Sequence, residues 1–172
     1  MGDDYSGLDI ALSSRIRERD EVEGAEELTL AILVFELGGS PYAVEGRFIK
    51  AVLPMTEPFF VPGCPPSLEG VILHQGEIES VIDISATIGK APRPAGVSRA
   101  ILLAQTPAMR SGIRVDRVVD VAQVPESRIL SAPQIVRDAL REMAPKVVER
   151  EGGIVPLLDL PAIFAAWERS EA

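Results

Sequence analysis

The sequence predicts a mainly β protein with short helices. Three observations lead there. Fourteen prolines and fourteen glycines are spread through 172 residues. They punctuate short apolar runs at intervals of roughly 8–12 residues, the spacing of an all-β barrel or sandwich. The runs are rich in β-branched and aromatic residues, such as Ile32, Val34 and Phe35. The stretch Gly70 to Ile84 holds two β-rich pieces joined by Gln75-Gly76 and closes on Ile82-Asp83-Ile84.

Residues 1–27 read as a tail separate from a body at 28–172. Leu8, Leu12 and Ile16 recur at four-residue spacing with Ala11 beside them. This suits either a short amphipathic helix that docks on the body or a partner, or a solvated leader, because so short a helix is marginal alone in water. Thr29–Leu37 is almost continuously apolar and reads as a buried strand. Gly38-Gly39-Ser40-Pro41 turns the chain into a return strand that begins at Tyr42-Ala43-Val44. Phe48–Leu53 continues as strand and stops at Pro54. Pro58 to Pro66 is a stiff loop, because proline cannot donate to a sheet ladder.

Gly70–Leu73 and Glu77–Ile84 follow as strands, with Ile78, Val81, Ile82 and Ile84 at the apolar positions. Ser85–Gly89 is one helical turn ending on glycine, and Lys90–Gly96 is a proline-rich linker. Ala100–Ala104 and Gly112–Val124 read as strands, with a turn at Thr106-Pro107 between them. Pro133–Met143 has helical character and is stopped by Pro145. Val147–Arg150 and Ile154–Leu160 form a hairpin across Gly152-Gly153. Pro161 opens a last helix, Ala162–Glu168, where a first-turn proline is tolerated.

The bulk numbers exclude several function classes. With 47% hydrophobic and 25% charged residues, the chain suits one folded domain, with room for two small lobes. No apolar run nears the ~18 residues that span a bilayer, so no membrane insertion is expected. The start Met-Gly-Asp-Asp lacks a basic stretch ahead of an apolar one and points to the cytoplasm. A formal charge of −9 speaks against nucleic acid, whose phosphates require a basic surface. Nine acids and three bases fall in residues 1–27, so the tail carries −6 of that charge and the body is near neutral.

Few residues invite chemistry. His74 lies between two strands, and Ser80 and Asp83, though near in sequence, alternate in direction and assemble no triad with it. Cys64 sits among prolines without a flanking base to lower its pKa, and reads as a small packed residue. One Cys and one His cannot build a zinc site. Asp83 and Asp159 each close an apolar strand ahead of a helical turn, which suits capping. No phosphate-binding loop, dinucleotide fingerprint or metalloprotease motif is present. No catalysis, cofactor or metal is therefore expected. An enzyme built on His74 or Cys64 stands only as a distant alternative.

Six pieces occur in a familiar order. They are Leu33-Val34-Phe35-Glu36-Leu37-Gly38 with Tyr42-Ala43-Val44, Ile49-Lys50-Ala51-Val52-Leu53-Pro54, Val61-Pro62-Gly63-Cys64-Pro65, Gly70 to Ile84, Gly112-Ile113-Arg114-Val115-Asp116, and Leu157-Leu158-Asp159-Leu160. From residue 29 to about 165 the body resembles the CheW family of chemotaxis coupling proteins. The resemblance implies two SH3-like β-barrel subdomains of five strands each, packed around a shared core. It implies a non-catalytic adaptor that joins the regulatory domain of a CheA-type histidine kinase to the cytoplasmic tip of a chemoreceptor. By the same resemblance, Ile49, Ala51, Gly70, Leu73, Gln75, Gly76 and Gly112 fall on or near the partner-contacting groove. Ala51 stands where the family usually has Glu, Leu73 where it has Asn, Gln75 where it has Arg, and Ser80 where it has Pro. Two opposite charges are thereby lost from the groove. This leaves room for two other readings, a competitor of kinase–receptor assembly and an adaptor in a kinase pathway other than chemotaxis.

Overall fold

A computed structural model describes residues 27–91, 96 and 98–172. The tail expectation falls outside the described residues except at Glu27, and most of the Lys90–Gly96 linker lies outside them too.

Among the described residues, eleven strands fold into two curled sheets. The first sheet contains β1 (Thr29–Leu37), β2 (Ser40–Glu45), β8 (Arg117–Pro125), β9 (Ile129–Ser131), β10 (Lys146–Arg150) and β11 (Gly153–Leu158), in the order β8-β1-β2-β11-β10-β9. The second contains β3 (Ile49–Pro54), β4 (Leu68–His74), β5 (Glu77–Ile82), β6 (Ala100–Gln105) and β7 (Arg110–Val115), in the order β3-β6-β7-β5-β4. The sheets share one plan. Each joins two hairpins through their second strands in parallel, β2 with β11 in one and β5 with β7 in the other. Two helices complete the described chain, α1 (Asp138–Met143) and α2 (Leu160–Glu171).

The period-2 geometry of strands explains the long apolar runs. On β1, Ile32 and Val34 face a cluster with Ala43, Val124, Val148 and Leu157 inside the first sheet. The alternate residues Leu33, Phe35 and Leu37 face a larger cluster with Ile82, Leu102, Ile113, Leu158 and Phe164 that lies between the two sheets. The second sheet repeats this: Ile72, Val81 and Ile101 line its own small cluster, while Ile82 and Leu102 turn to the shared one. A strand buried on both faces has no polar register and reads as continuous apolar sequence.

Helix α2 lays Leu160, Ile163 and Phe164 into the shared core. The Asp159 carboxylate accepts the Ala162 N–H at 3.2 Å, so the capping expectation at this aspartate holds. The Asp159→Ala variant is expected to cost about 1 kcal/mol and to lower Tm by roughly 2–4 °C in thermal denaturation.

Several sequence expectations are corrected. Gly112–Val124 is not one strand: the chain leaves the second sheet at Val115 and enters the first at Arg117, without a glycine or proline to mark the crossing. Of Pro133–Met143 only Asp138–Met143 is helical, because the Val136 N–H closes a turn on the Pro133 carbonyl first. The first sheet has six strands, since the three-residue β9 adds itself to β10. Ile78 is 74% exposed and belongs to no core.

Two ion pairs tie β8 into the first sheet. Arg117 pairs in two-pronged fashion with Glu36 on β1, at 2.9 and 2.5 Å. Arg150 reaches from β10 to Asp120 at 2.5 Å. Hydrogen bonds from these guanidinium groups hold Glu36 below its ordinary 4.5 and Asp120 below its ordinary 3.8. A carboxyl lowered on folding adds stability above its unfolded pKa, and that stability is lost as pH falls through the folded value. The pairs' contribution is therefore complete above pH 4.5 and fades below it. Thermal scans against pH should show the wild-type advantage over R117A/R150A shrinking as the pH drops from 5 towards 2. The Arg117–Glu36 pair lies at the surface and the Arg150–Asp120 pair is half-buried, so the advantage is small and falls with salt.

Candidate functional site: an exposed apolar hairpin

The β4–β5 hairpin turns at Gln75-Gly76, with φ of +50° and +84°. Two successive positive φ values make the tight turn that matches strand twist. Gln75 is the one non-glycine residue with positive φ among the described residues. On one face of this hairpin, Leu73 and Ile78 stand directly opposite each other, 70% and 74% exposed. Val71 lies two residues earlier on the same face.

The proline-rich loop extends that face. Phe59 and Val71 exchange backbone hydrogen bonds at 2.8 and 3.0 Å, which puts the 72%-exposed Phe59 side chain in line with Val71 and Leu73. Gly70 permits this approach. Its φ is +144°, and a Cβ there would collide with the Phe59 carbonyl oxygen and lie 2.8 Å from the carbonyl carbon. The result is an apolar strip of Phe59, Val71, Leu73 and Ile78 along the β4 edge of the second sheet.

The residues singled out by resemblance divide into two groups. Ala51, Gly112 and Gly70 fall in one register row across the sheet, through Leu103 and Val81. Gly70 and Gly112 are buried, and Ala51 is half-buried. A Cβ on Gly112 would lie 2.7 Å from Ile101 Cγ2 and 3.2 Å from the Ser80 carbonyl oxygen, so this glycine sets the closeness of β7 to its neighbours. Leu73, Gln75 and Gly76 lie exposed at the hairpin tip. Ile49 is half-buried at the same end of the sheet, because it pairs with Ala104 just before the β6–β7 turn. Sequence reasoning missed Ile78 and Phe59. The signal for Ile78 was its place between Glu77 and Glu79 at a hairpin tip, where no second layer reaches.

Polar groups beside the strip are bound to one another. The Arg110 guanidinium pairs with the buried Glu79 and lies 3.3 Å from Glu77. Arg114 pairs with Glu69 at 2.6 Å and lies 3.7 Å from Asp83. The Asp83 carboxylate also accepts the Ser85 N–H at 2.9 Å, as the capping expectation required. The Ser80 hydroxyl meets the Ser111 hydroxyl at 2.8 Å. His74 is half-buried at the end of β4, and Cys64 half-buried in the loop. Among the described residues, no group of three or more His, Cys, Asp or Glu is placed to hold a metal ion. No helix among them is long and apolar enough to cross a membrane. A face of this kind, apolar and bordered by paired charges, suits contact with another protein.

Comparison with known proteins agrees with the fold. The family model for the CheW-like domain matches residues 31–168. The chain belongs to the CheW family. It is 28% identical over 141 residues to the chemotaxis protein CheW of Rhizobium meliloti, covering 82% of this chain and 91% of that one. It is 27% identical over 133 residues to the chemotaxis protein CheW of Bacillus subtilis, covering 77% and 85%. The crystal structure of the scaffolding protein TtCheW from Thermoanaerobacter tengcongensis superposes with a TM-score of 0.68 at 23% identity, over 80% of this chain and 93% of that one. The two CheW sheets described above are thus the family's fold.

Proposed function

We propose that this chain is a non-catalytic adaptor of a chemosensory array in the cytoplasm, joining the regulatory domain of a CheA-type histidine kinase to the cytoplasmic tip of a chemoreceptor. The observation that carries the reading is the CheW-like match over residues 31–168. The exposed strip of Phe59, Leu73 and Ile78 supports it, because an adaptor without catalysis needs apolar surface to spend on partners. The hairpin tip with Leu73, Gln75 and Gly76, together with Ile49 and Ala51 on β3 of the same sheet, is the surface we assign to the receptor.

A second reading is favoured by one observation. Ala51 and Gln75 leave this surface without the Glu and Arg that the family pattern carries. A protein that binds the kinase and fails at the receptor acts as a competitor. Adding the purified chain to a reconstituted receptor–kinase array separates the two: an adaptor raises kinase activity, and a competitor lowers it. If the receptor contact is weakened by the missing cation, Gln75→Arg is expected to raise receptor affinity several-fold, read by co-sedimentation with receptor-containing membranes. An unchanged affinity would place the receptor contact elsewhere.

A further inference from the structure

A cleft of about 640 Å³, lined by none of the residues assigned to the candidate site, opens between the β1–β2 turn and the segment leading into α1. Tyr42, Ile88, Val136 and Leu140 give it apolar walls, and its only charged lining side chains among the described residues are Lys90 and Arg137. Lys90 Nζ donates to the Gly38 carbonyl at 3.2 Å and to Ser40 Oγ at 2.7 Å, both neutral acceptors. Neither Lys90 nor Arg137 has a carboxylate partner among the described ion pairs. At the rim Ile135 is 86% exposed. In a chain of net charge −9, an apolar cleft with two cations and no acid calls for an acidic, apolar occupant.

We propose that this cleft is the docking site of the chain's own N-terminal segment, with Leu8, Leu12 and Ile16 against the apolar walls and neighbouring carboxylates on Lys90 and Arg137. The match is one of composition and charge. Residues 1–26 carry eight acids against three bases, and their aliphatic residues recur at the spacing that would place them on one helix face. The reach is sufficient. The segment leaves the body at Leu28, whose carbonyl accepts the Glu126 N–H at 2.9 Å, at the end of β1 away from Gly38. The ten residues from Leu28 along β1 to Gly38 separate that point from the cleft, about 33 Å at ~3.3 Å per residue. Residues 17–27 span up to roughly 36 Å when extended. The inference does not depend on the adaptor reading, and the kinase and the receptor play no part in its central test.

Arg15, Arg17 and Arg19 supply a built-in probe, because trypsin cleaves there only when the segment is accessible. Limited trypsinolysis of the full chain at low salt, read by mass spectrometry, is expected to cut at Arg15, inside the docked stretch, at least ~10-fold more slowly in wild type than in K90E/R137E, while Arg17 and Arg19 on the extended tether are cut at similar rates in both. Because those substitutions remove native hydrogen bonds, L8D/L12D/I16D is the companion variant: it leaves the described fold untouched and should lose the same protection. Half-molar salt should erode the protection in wild type. Equal cleavage at Arg15 in wild type and both variants would overturn the proposal. So would protection that arises only when a kinase regulatory domain is added, which would make the occupant's site a partner's surface.

Discussion

Gly70→Ala is expected to destabilise the protein by about 3 kcal/mol and to lower Tm by roughly 6–12 °C. Two costs combine. The backbone sits at φ +144°, which an L side chain rarely adopts. The added methyl would also meet the Phe59 carbonyl, which is backbone and held by its hydrogen bonds with Val71. A side-chain tip could rotate aside, but a paired backbone carbonyl cannot without breaking the pairing. Gly76→Ala is the control. Its φ is +84°, but nothing lies within 4 Å of the added Cβ, so only the conformational cost applies. Thermal denaturation of the two variants should therefore differ by several degrees. Equal losses would mean that the Phe59 loop does not lie against β4 as described. The Gly70 variant should also weaken partner binding, because the loop that extends the apolar strip is displaced.

Leu73→Glu combined with Ile78→Glu carries the largest expected effect on function. Both side chains are mostly exposed and oppose each other across the hairpin, so their replacement should move stability by no more than about 0.5 kcal/mol each. In a contact centred on this strip they would act as buried anchors, each worth ~2 kcal/mol or more, a loss of roughly 30-fold or more per residue. Binding to receptor-containing membranes should fall below detection while Tm stays within a few degrees of wild type. Unchanged binding would remove this face from the receptor contact. A matching loss of stability would show instead that the pair supports the fold.

The fold was legible where side-chain period and turn chemistry agreed. Thr29–Leu37, the Gln75-Gly76 turn and the capping of α2 by Asp159 each carry their signal within a few residues. The passage from β7 to β8 did not, because Val115-Asp116-Arg117 changes sheets through tertiary hydrogen bonds, among them the Asp116 N–H to the Glu36 carbonyl at 2.9 Å. The strand β9 escaped for a similar reason: three residues carry no period, and pairing with β10 alone defines them. At the candidate site, the residues named by resemblance all fall on the second sheet or in its β4–β5 turn, and the resemblance could not separate surface from support. Gly70 and Gly112 belong to the same pattern as Leu73 and Gln75, yet only the latter pair faces outward. Ile78 reads as an apolar strand position beside Val81, Ile82 and Ile84, and that reading ignores where the second layer ends. Phe59 lies twelve residues before its bridge partner Val71, in a loop that proline content marked as stiff, and only that bridge brings it to the strip.

The measurement that bears most directly on the adaptor reading is a calorimetric titration of the full chain into the CheW-like regulatory domain of a CheA kinase from the same cell. The account predicts saturable binding in the micromolar range, retained in L73E/I78E if that strip serves the receptor alone. No heat of binding, with circular dichroism showing both proteins folded, would contradict the account and leave a CheW fold turned to another partner.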